Sequence, residues 1–303
     1  MFDRILLATT ASPTSDAAAN LAFELAAKYD SQLFVLHVLG IPARGFGIHY
    51  IDVRTGEEEH VDQNYLDLVQ EEMRQTYEKQ LATHNKVQMV ALTGIPHTEI
   101  LRKARKEDAD LIIMGAHTRE EDVGATRFRG VVGNTMQKVA RSARCPVLIT
   151  SRPCATCWWY FSNIVVGTDF SKASEAAFMF GLKLSREIPC KLHVFNAVDV
   201  SAGMPLSQTE VEKKISDARD KMVKLHGARL NDDDNYEMDV WEGIPYVEIL
   251  KYAREKSADL IIMAHHTREV DPEKASLGST VEQVVLRASC PVASVNRPDK
   301  VTL

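Results

Sequence analysis

The amino-acid sequence predicts an α/β fold made of two doubly wound, parallel five-stranded sheets arranged as a tandem repeat. The segment 110–120 returns almost unchanged as 259–269, and such self-similarity indicates an internal repeat. In both copies, short runs of β-branched and apolar residues alternate with longer segments of helical period, as they do in βα units. The run Leu111–Met114 is apolar without interruption, which is typical of a strand buried on both faces of a parallel sheet.

Length and composition are consistent with two domains, and the charge disfavours one class of binding partner. The chain has 303 residues, of which 45% are hydrophobic, enough for two ordinary cores. We place the domains at 1–152 and 162–298, with a linker at 153–161. The 42 acidic residues exceed the 36 basic ones, the net charge is −6, and no five Lys or Arg follow one another. Nucleic acid is therefore disfavoured as a partner, because its affinity depends on clustered cations.

The N-terminal residues and the cysteines predict a cytoplasmic protein without a membrane segment. The apolar run within residues 1–8 is too short for a signal peptide or a membrane span. Five cysteines are an odd number for a disulfide framework, so we expect reduced thiols. Cys154 and Cys157 have CxxC spacing, but no second such pair follows. We therefore expect a packed linker there and no metal site, with a redox or metal role as the alternative.

The elements can be placed in order along each copy. Strands are predicted near 4–9, 33–38, 87–92, 110–115 and 146–150, and again near 163–168, 191–197, 236–241, 259–264 and 291–295. Apolar residues at helical spacing predict helices that face the sheet, at Val69, Met73, Tyr77 and Leu81 and at Val211, Ile215, Ala218, Met222 and Leu225. The first copy is longer, with an insertion placed in 45–63. The apolar last strands, 147–150 and 292–295, predict that the two copies pack on each other as a pseudo-dimer.

Two loops in each copy are the candidate binding loops. Ligands of doubly wound sheets bind beyond the carboxyl ends of the strands, where the strand order reverses, so the loops after the first and fourth strands matter most. In the second copy these loops read Val166–Ser171 and Met263–Thr267, followed by Leu277–Val281 and Cys290–Val292. These motifs resemble the diagnostic loops of universal stress protein domains, and the resemblance covers nearly the whole chain in two copies. It implies layers like those of adenine nucleotide alpha hydrolases and flavodoxins.

The resemblance implies an adenine-nucleotide site in the second copy. It places Asp169 beside the adenine or ribose, Ala197 near the adenine, and Gly278, Ser279 and Thr280 on the phosphates, with Ser171 in the first loop. The helix that begins at 278–280 supports the phosphate assignment independently, because a helix N-terminus offers unpaired N–H groups and a positive dipole end. The alternative is that Gly278 serves a turn and Ser279 is an N-cap.

Both copies depart from the family's pattern of motif glycines. In the second copy Ala264 and Thr267 stand where glycines are expected, so the loop is altered, and His265 and His266 either contact phosphate oxygens or pack in the core. The first copy has Thr10 in place of Asp169, and without this carboxylate we predict a weaker site. Its candidate residues are Thr10, Val38, Gly115, Gly133, Asn134 and Thr135. Arg127 and Arg129 either reach phosphates or belong to a solvated loop.

The resemblance implies a cytoplasmic stress-response regulator that binds ATP, ADP or AMP, with or without Mg²⁺. No catalytic residue and no metal ligand is assigned. The chain contains no GxxxxGK[ST], GxGxxG or GxSxG motif, which disfavours the enzyme classes built on them. Two alternatives stay open, a nucleotide-free scaffold and a slow ATP hydrolase or phosphotransferase. The partners implied are an adenine nucleotide and the other half of the same chain, and a homodimer of the whole chain stays open.

Overall fold

The computed structural model describes residues 1–10, 13–40, 49–51, 58–60, 62–116, 134–151, 161–200, 207–265 and 279–295. The first half contains β1 (Arg4–Thr9), α1 (Pro13–Tyr29), β2 (Gln32–Gly40), β3 (His49–Ile51), β4 (Glu58–His60), α2 (Gln63–Thr76), α3 (Glu78–Leu81), β5 (Val87–Gly94), α4 (Pro96–Lys106), β6 (Leu111–Gly115), α5 (Asn134–Ser142) and β7 (Val147–Thr150). The second half contains β8 (Asn163–Gly167), α6 (Lys172–Glu187), β9 (Lys191–Val198), α7 (Gln208–Leu225), a 3₁₀ turn (Gly227–Arg229), β10 (Tyr236–Glu242), α8 (Pro245–Glu255), β11 (Leu260–Ala264), α9 (Ser279–Arg287) and β12 (Val292–Val295).

Ten strands form one continuous sheet in the order β10-β9-β8-β11-β12-β7-β6-β1-β2-β5. Within each half the five strands are parallel, and their order reverses between the first and the fourth strand. The halves meet where β7 and β12 pair antiparallel. The α/β fold with two parallel five-stranded halves is confirmed, as is the packing of the two copies through their last strands. The two sheets are joined into one.

Two hydrophobic cores cover the two faces of this sheet. Alternate residues of β1 belong to different cores, Ile5 and Leu7 to one and Leu6 and Ala8 to the other, as the two-residue period of a strand requires. Each core contains residues from both halves of the chain. Both faces of the sheet are therefore covered continuously across the junction, which explains why its strands are apolar without alternation.

Side chains on both faces reinforce the junction between β7 and β12. The ring of Phe2 lies 5.5 Å from Tyr29 in its own half and 6.4 Å from Phe180 in the other half, centroid to centroid. Gln137 of α5 donates a hydrogen bond of 3.2 Å to the carboxylate of Glu282 on α9. The two halves are thus joined by side-chain contacts as well as by the paired strands β7 and β12.

The structure corrects two details of the sequence-based elements. The helix predicted through Leu81 is interrupted at Tyr77, which ends α2 and precedes α3. Leu225 does not face the sheet, because its side chain is 41% exposed and the buried position after Met222 is His226. Residues three and four positions after Met222 can both lie on its helix face, and in this structure the residue four positions later, His226, is the buried one. The short pair β3 and β4 lies inside the predicted insertion at 45–63.

The repeated Gly-Ile-Pro motif has a backbone explanation. Gly94 and Gly243 adopt φ values of +151° and +136°, a region that side-chain-bearing residues rarely occupy. The proline that follows two residues later occupies the first turn of α4 or α8, where its fixed φ suits the helix and no N–H is needed. The motif therefore turns the chain from a strand into a helix and is a structural part of each repeat.

Gly181 of α6 provides a test of how closely this helix packs on the sheet. A Cβ added there would lie 2.6 Å from Cγ2 of Val166 on β8. Overpacking costs about 1–3 kcal/mol, which exceeds the roughly 1 kcal/mol gained from helix propensity. We expect Gly181→Ala to lower the free energy of unfolding in a urea titration. Gly227→Ala, whose added Cβ meets nothing closer than 3.6 Å, is the control, and equal stability of the two variants would contradict this packing.

Candidate functional site

The strand order places one candidate site in each half. The first and fourth strands are β1 and β6 in the first half and β8 and β11 in the second, and their carboxyl ends flank the crevice where ligands of doubly wound sheets bind. Because β7 and β12 are antiparallel, the two halves run in opposite directions. The two candidate sites therefore lie at opposite edges of the ten-stranded sheet.

Asp169 follows β8 at the mouth of the second site. Its side chain is exposed, and Oδ1 accepts a hydrogen bond of 3.0 Å from the backbone N–H of Ser171. Ser171 is the N-cap of α6, and its hydroxyl oxygen accepts from the N–H of Ser174 at 3.1 Å. The carboxylate is thus oriented by its own loop, close to the positive end of a helix. Ser171 has a capping role in this arrangement.

Phe170 fixes the backbone immediately after Asp169. It adopts φ +63°, a left-handed conformation that costs a residue with a side chain about 1–3 kcal/mol and persists only where the surrounding structure stabilises it. Here the ring stacks on His226 with centroids 6.1 Å apart, and Nζ of Lys221 lies 5.0 Å above it. Such a strained residue beside a candidate ligand group is common at functional sites.

Thr168, the residue before Asp169, connects the loop to the core. Its Oγ1 accepts a hydrogen bond of 3.1 Å from the N–H of Phe170 and lies 3.0 Å from Nε2 of His226. Asn196 of β9 donates to the Thr168 carbonyl oxygen at 2.7 Å. Three buried side chains therefore determine where the Asp169 carboxylate is presented.

His226 is a neutral member of this network. Its side chain is 2% exposed and packs on Phe178 with ring centroids 4.3 Å apart. Loss of hydration lowers the pKa of His226 from 6.5 to about 4, with Glu175 raising it and Arg229 lowering it further. The imidazole consequently stays uncharged at neutral pH.

Among the other residues predicted for the second site, those that the structure describes lie at the same sheet edge. Ala197 is near the end of β9, Ala264 ends β11, and both are half-buried. His265 follows directly and is 3% exposed. Ser279 begins α9 and Thr280 occupies its first turn. The remaining predicted residues, His266, Thr267 and Gly278, lie outside the described part of the chain.

The first half repeats this design with different side chains. Thr9 ends β1, and its Oγ1 lies 2.6 Å from the hydroxyl oxygen of the buried Tyr77. His37 Nδ1 donates to the Thr9 carbonyl oxygen at 2.9 Å. Thr10 is exposed, and its Oγ1 lies 2.9 Å from Oγ of Ser15. Thr9 and Tyr77 thus correspond to Thr168 and His226, and a hydroxyl replaces the carboxylate of the second half.

A cavity of about 270 Å³ opens beside this loop. The described lining of this first-half cavity includes the predicted residues Thr10, Val38, Gly115, Asn134 and Thr135. Thr10 contributes from the end of β1 and Gly115 from the end of β6, the two strands at the order reversal. Gly133 lies outside the described residues. Five of the six residues predicted for this half are therefore brought together around one space.

Sequence reasoning misses the residues that support both loops. Tyr77 enters it only as part of an apolar helix stripe, and His226, Thr168, Asn196 and His37 are not singled out. The available signal is positional, because Tyr77 and His226 each stand four residues after a buried methionine of the stripe, at the same place in the two repeats. Polar residues at such positions mark a buried hydrogen-bond network.

The aspartate that begins each repeated strand motif has a structural role away from the site. Asp110 Oδ2 accepts from the N–H groups of Asp3 and Arg4 at 2.9 and 3.0 Å. Asp259 Oδ2 accepts from Ser162 and Asn163 at 2.8 and 3.1 Å. Each aspartate thus satisfies the N–H groups at the start of the first strand of its half.

Among the described residues, no group of three His, Cys, Asp or Glu side chains could hold a metal ion. None of the helices described is long and apolar enough to cross a membrane. Cys154 and Cys157 lie outside the described ranges, so the expectation that they bind no metal stays a prediction.

Solved structures with the same fold cover nearly the whole chain. A universal stress protein from Archaeoglobus fulgidus DSM 4304 matches with a TM-score of 0.69 and 22% identity, covering 98% of this chain and 97% of that one. The functionally unknown protein PA1789 from Pseudomonas aeruginosa PAO1 matches with a TM-score of 0.64 and 17% identity, covering 99% and 94%. These likenesses show the fold.

Sequence comparisons identify the family. Universal stress protein MJ0531 of Methanocaldococcus jannaschii is 26% identical over 159 residues, which is 50% of this chain and 84% of that protein. Universal stress protein MJ0577 of the same organism is 35% identical over 68 residues, 22% of this chain and 38% of that protein. The profile of the universal stress protein family matches residues 1–151 and again 161–296. Since both halves match, this chain belongs to the universal stress protein family as a tandem, two-domain member.

Proposed function

We propose that this chain is a cytoplasmic stress-response regulator that binds an adenine nucleotide mainly in its second half. The observation that carries the proposal is the position of Asp169, a carboxylate at the end of β8, beside the strand-order reversal. Its loop is held by Thr168, Phe170 and His226, so the acceptor is already oriented before a ligand arrives. Preorganisation of this kind lowers the cost of binding.

The side chains at this edge fit the parts of an adenine nucleotide. A carboxylate accepts hydrogen bonds from ribose hydroxyls or from the adenine amino group, and Asp169 supplies one. The half-buried end of β9 at Ala197 offers backbone groups and a small side chain beside it. The N-terminus of α9 at Ser279 presents N–H groups and a positive dipole end, which suit phosphate oxygens.

The difference between the halves supports the choice of the second one. Thr10 and Asp169 stand at the same place after the first strand, and a hydrogen bond to a charged acceptor contributes about 1.5–3 kcal/mol against about 0.5–1.5 kcal/mol for a neutral one. The second half is therefore expected to form the stronger hydrogen bond to ribose or adenine.

Titration calorimetry with ATP, ADP and AMP tests the proposal. We expect Asp169→Ala to weaken binding about tenfold to a hundredfold, since a charged hydrogen-bond acceptor is lost. Asp169→Asn keeps the shape of the side chain without its charge and should fall between the parent and the alanine variant. Thr10→Ala is the matched control in the first half and should change nucleotide affinity little.

Three results would reject the assignment. If Asp169→Ala binds nucleotide as tightly as the parent, or if Thr10→Ala removes the measurable site, the nucleotide belongs to the first half. If the parent binds none of the three nucleotides, and acid extraction of the purified protein releases none, the chain is a nucleotide-free scaffold. Phosphate release from ATP in proportion to added protein would favour the enzyme alternative.

A further inference from the structure

Helices α5 and α9 lie side by side across the junction between the halves and run in opposite directions. Gln137 of α5 and Glu282 of α9 are joined by a hydrogen bond of 3.2 Å, and both helices contribute to the same core. Just after the end of α9, the Ala288 carbonyl oxygen lies 3.5 Å from Oγ of Ser151, which follows β7. The other end of α9 therefore lies where β7 begins, which is also where α5 ends.

This arrangement brings Arg141 of the first half to the beginning of α9 in the second half. Residues four positions apart share a helix face, so Arg141 faces α9 as Gln137 does. Arg141 stands one turn after Gln137, and Ser279 stands about one turn before Glu282, so both are displaced by about 4.5–6 Å toward the same end. The side chain of Arg141 is half-buried and its Nε atom is shielded from solvent, which limits where its guanidinium can lie.

The equivalent position of the second half carries an apolar residue. The closing Cys-Pro-Val motifs of the two halves align Arg141 with Leu286, and they align Gln137 with Glu282. The hydrogen bond between Gln137 and Glu282 therefore lies on the pseudo-two-fold axis that relates the halves. By this symmetry Leu286 faces the beginning of α5, just as Arg141 faces the beginning of α9. One helix N-terminus thus faces a permanent cation, and the other faces a leucine.

A buried hydroxyl lies at the same edge of the sheet. Ser294 of β12, paired in register with Val147 at the start of β7, is fully buried, and its Oγ has no hydrogen-bond partner among the described residues. It occupies the same face of β12 as Val292, which belongs to the core that α5 and α9 cover. The equivalent residue of the first half is Ile149. An unsatisfied buried donor is therefore a second indication, found only in the second half of this pair, that a polar group binds at this edge.

We propose that Arg141 of the first half binds the phosphate groups of a nucleotide held in the second half. The inference rests on the proposed function and deepens it, because it names a group that neutralises the phosphate charge. A guanidinium donates two parallel hydrogen bonds to phosphate oxygens, and the N-terminus of α9 directs N–H groups and a positive dipole end to the same edge. The second-half site is then completed by a residue of the other half.

Titration calorimetry of the full chain with ATP tests the role of Arg141. Arg141→Leu introduces the residue type found at the equivalent position of the second half. We expect this variant to bind ATP about tenfold to a hundredfold more weakly than the parent, since a charge-assisted hydrogen bond to phosphate is lost. Arg141→Lys keeps the charge without the planar fork, and its ATP affinity should fall between those of the parent and the leucine variant.

A matched control and a second readout separate phosphate binding from support of the fold. Lys106→Leu removes an exposed positive charge at the end of a different helix, α4, and should leave ATP affinity unchanged. Salt screens a direct contact between charges, so ATP affinity should depend less on ionic strength in Arg141→Leu than in the parent. Arg141→Lys and Lys106→Leu should keep the parent's dependence, and a residue that only supports the fold would not change it.

Circular dichroism and thermal unfolding establish that each variant is folded. If the leucine disturbs the fold, Arg141→Gln keeps a polar side chain without the charge and should show the same loss of ATP affinity. The inference is overturned if the neutral variant binds ATP as tightly as the parent, or if its affinity depends on ionic strength as the parent's does. Either result leaves the proposed function standing, whereas a parent that binds no ATP, ADP or AMP refutes both.

Discussion

Replacing Leu148 with alanine is expected to lower the free energy of unfolding by about 2–5 kcal/mol, the usual cost of truncating a buried leucine. Leu148 lies in β7, is 3% exposed, and is paired in register with Ala293 of β12. Because the sheet and both cores continue across this pair, we expect the whole chain to unfold as one cooperative unit. Urea unfolding combined with hydrogen exchange of β8 amides, in the other half, measures both effects.

A truncation far from the junction provides the control for this prediction. Val35→Ala in β2, where the side chain is fully buried, removes core volume from the first half alone. In a cooperative unit both variants reduce the exchange protection of β8. If β8 amides in Leu148→Ala exchange as slowly as in the parent while the amides of the first half exchange faster, the two halves unfold separately and the junction does not couple them.

Acidification from pH 6.5 to pH 4 is expected to destabilise the protein by roughly 3 kcal/mol through His226 alone, at 1.36 kcal/mol for each unit of pKa difference. The folded-state pKa of about 4 lies below the usual value of 6.5, so the unfolded chain binds a proton in this range and the folded chain does not. Stability contributed by the neutral imidazole is thus complete above pH 6.5 and is lost as the pH falls toward 4.

The slope of unfolding free energy against pH isolates the contribution of His226. The variant His226→Tyr places at this buried position the residue type that Tyr77 provides at the equivalent position of the first half. A tyrosine side chain does not titrate between pH 4 and 6.5. We expect the slope between pH 6.5 and 4 to be shallower in this variant than in the parent, whatever the difference in absolute stability. Equal slopes, or an imidazole that titrates near pH 6.5 by NMR in the folded protein, would contradict the prediction.

The sequence predicts the strands of the large sheet closely because each strand is recognisable from its own residues. A strand buried on both faces must be apolar throughout, and the run Leu111–Met114 shows this without knowledge of its neighbours. The pair β3 and β4 has no such signal, since three-residue strands in a polar segment leave no period to detect. Leu225 and His226 could not be separated for a related reason, because both spacings from Met222 are compatible with one helix face.

The sequence predicts which strand ends form the candidate site, but it does not predict the buried side chains that hold the site's loops in place. The position of Asp169 follows from the first strand and the resemblance, whereas the contact between Thr168 and His226 joins two residues far apart in the sequence. Hydrogen bonds of this kind depend on tertiary packing and leave no pattern in one sequence. The repeat could have revealed them through the parallel pair Thr9 and Tyr77, since two copies of one design allow their buried polar positions to be compared.

The antiparallel pairing of β7 and β12 also bears on how this protein evolves. In a dimer of identical chains related by a two-fold axis, every substitution occurs twice, so both binding sites change together. Covalent duplication removes this constraint, and the difference between Thr10 and Asp169 shows that the halves have already diverged. A substitution in one crevice therefore leaves the other crevice and the shared strands unchanged. A duplicated chain can thus specialise one half without giving up what the other half does.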